Sequence, residues 1–232
     1  MIMVSNSYEL DQKISSFMAG VYGWMSCALA LTAGTAYYVA TVPAIFMYIY
    51  THSALIIGLM IFQVGLVIAI TFLINRISFV AMLGLFLLYA TSLGVTLSSI
   101  FFVYTEVSIL STFLTTALMF GAMSLYGYMT KADLTSVGSM SMMVLFGLII
   151  GMVVNMFLKS EHFDYILSGV GVVVFVLLTA YDTQKIKQIA RPMLSDHELV
   201  GKMTLIGALT LYLDFVNLFL FLLRFMGQRR DQ

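Results

Sequence analysis

Four stretches without a single charged side chain limit what this chain can fold into more than any other feature. Between Lys13 and Arg76 there is no Asp, Glu, Lys or Arg, and residues 77–105, 107–130 and 134–158 are equally free of them. Each is long enough to cross a bilayer, which takes about 20 consecutive apolar residues. Soluble domains carry about a quarter charged residues; here 9% are charged, 61% are hydrophobic and the mean hydropathy is +1.02. The chain reads as a membrane protein. A β-barrel would alternate apolar and polar residues along each strand, and these runs do not. They are helices.

Seven spans are expected, at roughly 18–41, 53–75, 78–102, 107–129, 136–158, 164–189 and 201–226. The connections are short, so residues 1–232 form a single polytopic membrane domain, all-α, with no separate soluble part. "TVPAIF" (41–46) and "YGYMTKADLTSVG" (126–138) carry loop signals. The loop "RPMLSDHELVGKM" (191–203), with Asp196, His197 and Glu198, is expected to be a solvated charged segment, and His52 and His162 are expected to be plain loop residues. Residues 1–16 are polar and mixed, and the first apolar span is too long for a signal-peptide core, so that span is read as a retained helix.

Lys and Arg placement orients the spans. With the N-terminus cytoplasmic, the inside segments hold Lys13, Arg76, Lys131, Lys185, Lys187, Arg191 and Lys202, against Lys159, Arg224, Arg229 and Arg230 outside. Three of those four lie at the C-terminus, so six spans with one re-entrant helix satisfy the rule better. Both final segments are long enough to cross, however, and seven are expected. A net charge of zero with no basic cluster argues against nucleic-acid partners and against a polybasic surface anchor. The lone Cys27 excludes an internal disulfide and a multi-cysteine metal site. "GLIIG" (147–151), "GVG" (169–171), Gly94, Gly121 and Gly127 offer places for close helix packing. No cofactor motif is present.

Two acids stand out against this background. Asp182, in "LLTAYDTQKIKQ" (177–188), and Asp214, in "LTLYLDFVNLFLFLL" (209–223), lie within apolar helices, where an ionisable residue is costly and marks a functional hypothesis. Their helices are antiparallel neighbours in sequence, so the two acids can meet in the inner half of the membrane. Two carboxylates in contact cannot both ionise cheaply; they share a proton, and the titration belongs to the pair. Such a dyad is a pH-dependent latch, a cation site, or both. Arg76 ends the second span on the same side as Asp182 and is either a partner that stabilises one state or an interfacial anchor. Arg224, ten residues beyond Asp214, reads as a helix-end anchor.

The stretches "LYATSLGVTLSSIF" (88–101), "SLYGYMTKADLTSVG" (124–138), "LLTAYDTQKIKQ" (177–188) and "GALTLYLDFVNLFLFLLRFMG" (207–227), in this order, give the chain a resemblance to the Bax inhibitor-1 (transmembrane BAX inhibitor motif) family, and it looks like one of its short bacterial members. The resemblance implies a seven-helix fold with six helices around the C-terminal one, in a bacterial inner membrane. It also implies a pH-sensitive calcium leak governed by an aspartate pair, which by motif would be Asp182 and Asp214, with Arg76 as the latch arginine. Ca²⁺ and H⁺ would then be the partners besides the lipid bilayer, with Ca²⁺ as the permeant or transiently bound ion on Asp182 and Asp214. Calcium itself comes from the resemblance alone, since calcium sites gather six to eight oxygens and two aspartates supply too few. The second span holds Gln63 and no acid, so it offers Arg224 no acidic partner.

Three rival functions are weighed. An intramembrane aspartyl protease also uses two acids that share a proton, but the glycine-flanked aspartate and the PAL signature of that class are absent, and no HExxH or serine–histidine pair occurs in the spans. No enzyme is therefore expected. A non-conducting interaction protein, modulating a membrane protease or a stress or death pathway, could keep the aspartates as a folding latch. A coupled transporter would be expected to have helices broken at midplane, and neither Pro43 nor Pro192 breaks a span centre.

Overall fold

The computed structural model describes residues 2–74, 76–190 and 197–230. Arg191, Pro192 and Asp196, with most of the loop assigned to them, lie outside the described residues. The described helices are α1 (Ile2–Thr41), α2 (Pro43–Thr51), α3 (Ser53–Phe72), α4 (Phe79–Leu97), α5 (Ile100–Val103), α6 (Glu106–Met129), α7 (Thr135–Leu158), α8 (Glu161–Ala190) and α9 (His197–Met226). Seven stretches among them are long and apolar enough to cross a membrane, in the order and near the places expected. No strand is present among the described residues, only one isolated bridge between Tyr104 and Arg229.

The departures from expectation have local causes. The first helix starts far ahead of residue 18, because the polar segment before it holds no glycine or proline to stop it. The expected loop after Thr41 is largely the helix α2. Pro43 sits in its first turn, where a fixed φ suits the helix and no N–H is needed, behind an extended Val42. The third span breaks at Ser98 and Ser99. Ser98 Oγ donates to the Val95 carbonyl at 2.7 Å and Ser99 Oγ to that of Thr96 at 3.2 Å, a competition with the helical ladder that serines favour. His162 lies in the first turn of α8 and not in a loop, and the segment from His197 onward is already helical.

The chain divides into two compact units. In the first, α1 to α5 pack with α9 up to Tyr212. Ile14, Phe17, Val21, Met25, Ala28, Thr32, Ala36 and Val39 form one buried stripe along α1, recurring every three or four residues as a helix face must. Thr32 and Tyr212 share a hydrogen bond of 2.6 Å, and Thr32 Oγ1 also lies 2.9 Å from the carbonyls of Ala28 and Ala90. Gln63 Nε2 donates to the Ser92 carbonyl at 3.0 Å and to Thr96 Oγ1 at 2.8 Å. Its role is thus to tie α3 to α4. The second unit holds α6, α7, α8 up to Gln188, and α9 from Leu213 onward. There Phe113 and Phe120 of α6 meet Phe215 of α9 edge-on, with centroids 5.5 and 5.4 Å apart.

Among the seven spans α9 is the most buried, with 72% of its apolar window covered against 44% or less for the others. That burial is what sets the last helix apart from the other spans. Of the glycines expected at helix contacts, Gly94, Gly127, Gly151 and Gly171 do lie against a neighbouring helix. Gly121 and Gly147 face open space.

Candidate functional site: an aspartate pair on α8 and α9

Residues 180, 183, 184 and 187 recur at helical spacing and form one face of α8. That face is held at every step by the segment running from α6 into α7. A Cβ on Gly127 would overlap the carbonyl of Ala180, so only glycine lets these two backbones come so close, and one on Gly138 would enter the ring of Tyr181. Ser124 and Thr183 hydroxyls bond at 3.0 Å. Gln184 clamps the loop with both ends of its amide, Nε2 donating to the Ala132 carbonyl at 2.8 Å and Oε1 accepting from Leu134 N at 3.0 Å. Lys187 Nζ donates to the Tyr128 carbonyl at 2.7 Å and lies 4.4 Å from the centre of that residue's ring.

Asp182 sits in the middle of this anchored stretch and turns to α9. Its carboxyl group lies close to that of Asp214, near enough for the two to act on each other. Asp182 is half-buried, whereas Asp214 is 5% exposed. Ionised carboxylates are acceptors only, so the two can hydrogen-bond to each other only when the pair holds at least one proton. Asp214 Oδ2 is buried and has no hydrogen-bond partner among the described residues. A buried polar atom left unpaired costs about 1–3 kcal/mol, and such groups are few enough in folded proteins to call for a reason. Lys185, one turn along from Asp182, is close enough to act on it electrostatically.

As a metal site the pair is incomplete. Among the described residues no group of three or more His, Cys, Asp or Glu could hold an ion. Two carboxylates bring four oxygens, so a bound calcium would need carbonyls and water for the rest. The arrangement can hold and release a proton, and with it change the repulsion between two helices.

The structure thus brings Asp182 and Asp214 together. Arg76 belongs to the first unit, exposed in the turn between α3 and α4, its backbone N–H donating to the Leu73 carbonyl at 2.8 Å. None of the described ion pairs includes it. Arg224 lies ten residues beyond Asp214, roughly 15 Å along the helix axis. Its Nη1 is 3.9 Å from Met152 Sδ. Glu198 of the expected loop pairs with Lys202 within α9, at 2.8 Å. Reading the sequence missed Ser124, Thr183, Gln184 and Lys187 as supports of the site. The available signal was their own polarity, close to an intramembrane acid.

Known proteins resemble the chain over nearly its full length. A family model described as inhibitor of apoptosis-promoting Bax1 matches residues 14–231. The inner membrane protein YbhL of Escherichia coli is 49% identical over 218 residues, 94% of this chain and 93% of that protein. An uncharacterized protein of Borreliella burgdorferi is 45% identical, covering 94% of each chain. The uncharacterized protein RP147 of Rickettsia prowazekii is 41% identical over 98% of this chain and 95% of its own.

Proposed function

This chain belongs to the Bax inhibitor-1 family of multi-pass membrane proteins, and from that premise we propose that it is a pH-sensitive calcium leak gated by the proton that Asp182 and Asp214 share. The observation that carries the reading is the closeness of the two carboxyl groups, with Asp214 buried and its Oδ2 left without a partner among the described residues. While the proton is present, the two carboxyls can share a hydrogen bond that fastens α8 to α9. Its loss leaves two like charges at one buried place, and only separation of the helices or a bound cation relieves their repulsion. The unpartnered Oδ2 of Asp214 is an acceptor ready for such a cation. Arg76 is assigned as the latch arginine that favours one state of the pair. The name of the Escherichia coli relative supports an inner-membrane location, and the placement of lysines and arginines supports a cytoplasmic N-terminus.

The test is Ca²⁺ flux into liposomes holding only the purified protein, scanned from about pH 6 to about pH 8, beside Asp182→Asn and Asp214→Asn. A flux that depends on pH, and that either substitution flattens or shifts, is expected. No flux above empty liposomes from a folded protein would overturn the leak. The second reading, a non-conducting protein that modulates a partner in a stress or death pathway, would then take its place, favoured by the family's description as an inhibitor of an apoptosis-promoting protein.

A further inference from the structure

Within the second unit, the end of α7, the start of α8 and the end of α9 surround a cavity of about 410 Å³, within the usual size of small-ligand sites. All three are ends of membrane spans, so the cavity opens at a lipid–water boundary. Charges of both signs line it: Lys159, Arg224 and Arg229 on one hand, Glu161 and Asp164 on the other. They do not neutralise one another. The ion pairs among the described residues are Lys202 with Glu198 and Arg230 with Glu106, and neither joins two of these five.

Two of the cations are placed in ways that packing does not explain. Lys159 ends α7 at φ 52 and ψ 35, and among the described residues it is the only non-glycine with positive φ. Glycine is the usual residue at such a helix end, so a lysine accepts backbone strain there. Asn155 holds the turn rigidly, its carbonyl accepting from Lys159 N at 2.7 Å and its Oδ1 from Ser160 N at 3.1 Å. Arg224 is exposed, and the partners described for it are a thioether at 3.9 Å and the Phe221 ring, centred 6.0 Å away. Its fork of N–H donors is left for a ligand, and phosphate is the group that fork fits best.

We propose that this cavity binds a phosphate ester that also carries a primary ammonium group, the headgroup chemistry of an aminophospholipid. The phosphate meets Arg224, Lys159 and Arg229, and the ammonium meets Glu161 and Asp164. A purely anionic headgroup leaves the two acids unmatched, and a quaternary ammonium offers them no N–H. Exposed apolar side chains beside the cavity, Phe157, Leu158, Tyr165 and Phe225, give acyl chains a surface, which favours a lipid over a free phosphate ester.

The test uses the detergent-purified full chain and native mass spectrometry with phosphatidylethanolamine, phosphatidylcholine and phosphatidylglycerol. Retention should favour phosphatidylethanolamine, and Arg224→Gln should lower it about tenfold. The pair Glu161→Gln with Asp164→Asn should erase the preference over phosphatidylcholine. Lys159→Gly removes the strained side chain, so it should melt no lower than wild type and still lose retention. Soluble phosphoethanolamine separates the sources: weak competition assigns the site to a lipid, and full competition at equal concentration assigns the same chemistry to a free ligand. Equal retention of all three lipids by wild type, or unchanged retention in Arg224→Gln, would overturn the proposal.

Discussion

Asn at position 214 keeps the shape of the aspartate and can donate a hydrogen bond to Asp182 without a shared proton. Asp214→Asn should therefore fold, and its melting temperature should vary less with pH than that of wild type between about pH 5 and about pH 8. A thermal-shift series in detergent checks this; an unchanged pH profile would remove the shared proton from the account. A second carboxyl reports on the loop that grips α8. Asp133 Oδ1 accepts from Thr135 Oγ1 at 2.6 Å and from Thr135 N at 2.9 Å, and these bonds hold its pKa below the usual carboxylate value. A group held low in the folded state stabilises it above the unfolded pKa and loses that contribution as pH falls through the folded one. Wild type should thus melt above Thr135→Val at neutral pH, with the gap closing as pH drops below about 4.

At the scale of elements, α8 is positioned by its grip on the α6–α7 segment, and the grip has separable parts. Gln184→Ala leaves the Leu134 N–H and the Ala132 carbonyl without their partner, and the buried Leu134 N–H alone should cost about 1–3 kcal/mol. Gly127→Ala should be worse, because the added carbon meets backbone and not a movable side chain; overpacking of this kind costs about 1–3 kcal/mol or more. Gln63→Leu, which unties α3 from α4, should cost less. Interhelical hydrogen bonds in membranes average about 0.6 kcal/mol, because the unfolded chain in lipid also finds partners. The melting temperature should be lowest for Gly127→Ala, intermediate for Gln184→Ala and highest for Gln63→Leu, and a Gly127→Ala protein as stable as wild type would show that the close approach is not needed.

For the whole molecule, seven spans that all cross would put the two ends of the chain on opposite faces of the membrane. With a cytoplasmic N-terminus, Lys131→Cys in a Cys27→Ser background should react with an impermeant thiol reagent only from the cytoplasmic side, and Ser160→Cys only from the other. Labelling of both from one side would mean that α7 does not cross. The burial of α9 sets it apart from the other spans. An acid there is shielded from water by protein and not by lipid alone, which is where intramembrane acids are usually found.

Hydropathy and the charge-free runs were enough to place the seven spans, because the cost of a charge in hydrocarbon acts on each residue separately and needs no tertiary information. The same cost singled out Asp182 and Asp214. Helix ends were less legible. The extension of α1 and the appearance of α2 depended on missing helix breakers and on Pro43 acting as a starter, which a hydropathy pattern does not record. Only the tertiary structure decided that the two carboxyls lie together, that Gly127 and Gly138 touch α8 while Gly121 and Gly147 face open space, and that Gln184 and Lys187 fasten the loop. The physical reason is directional. Apolar burial depends on how much surface is covered, whereas a hydrogen bond or a glycine contact depends on which helix lies at which angle beside it, and in a membrane every span is apolar enough to face any other.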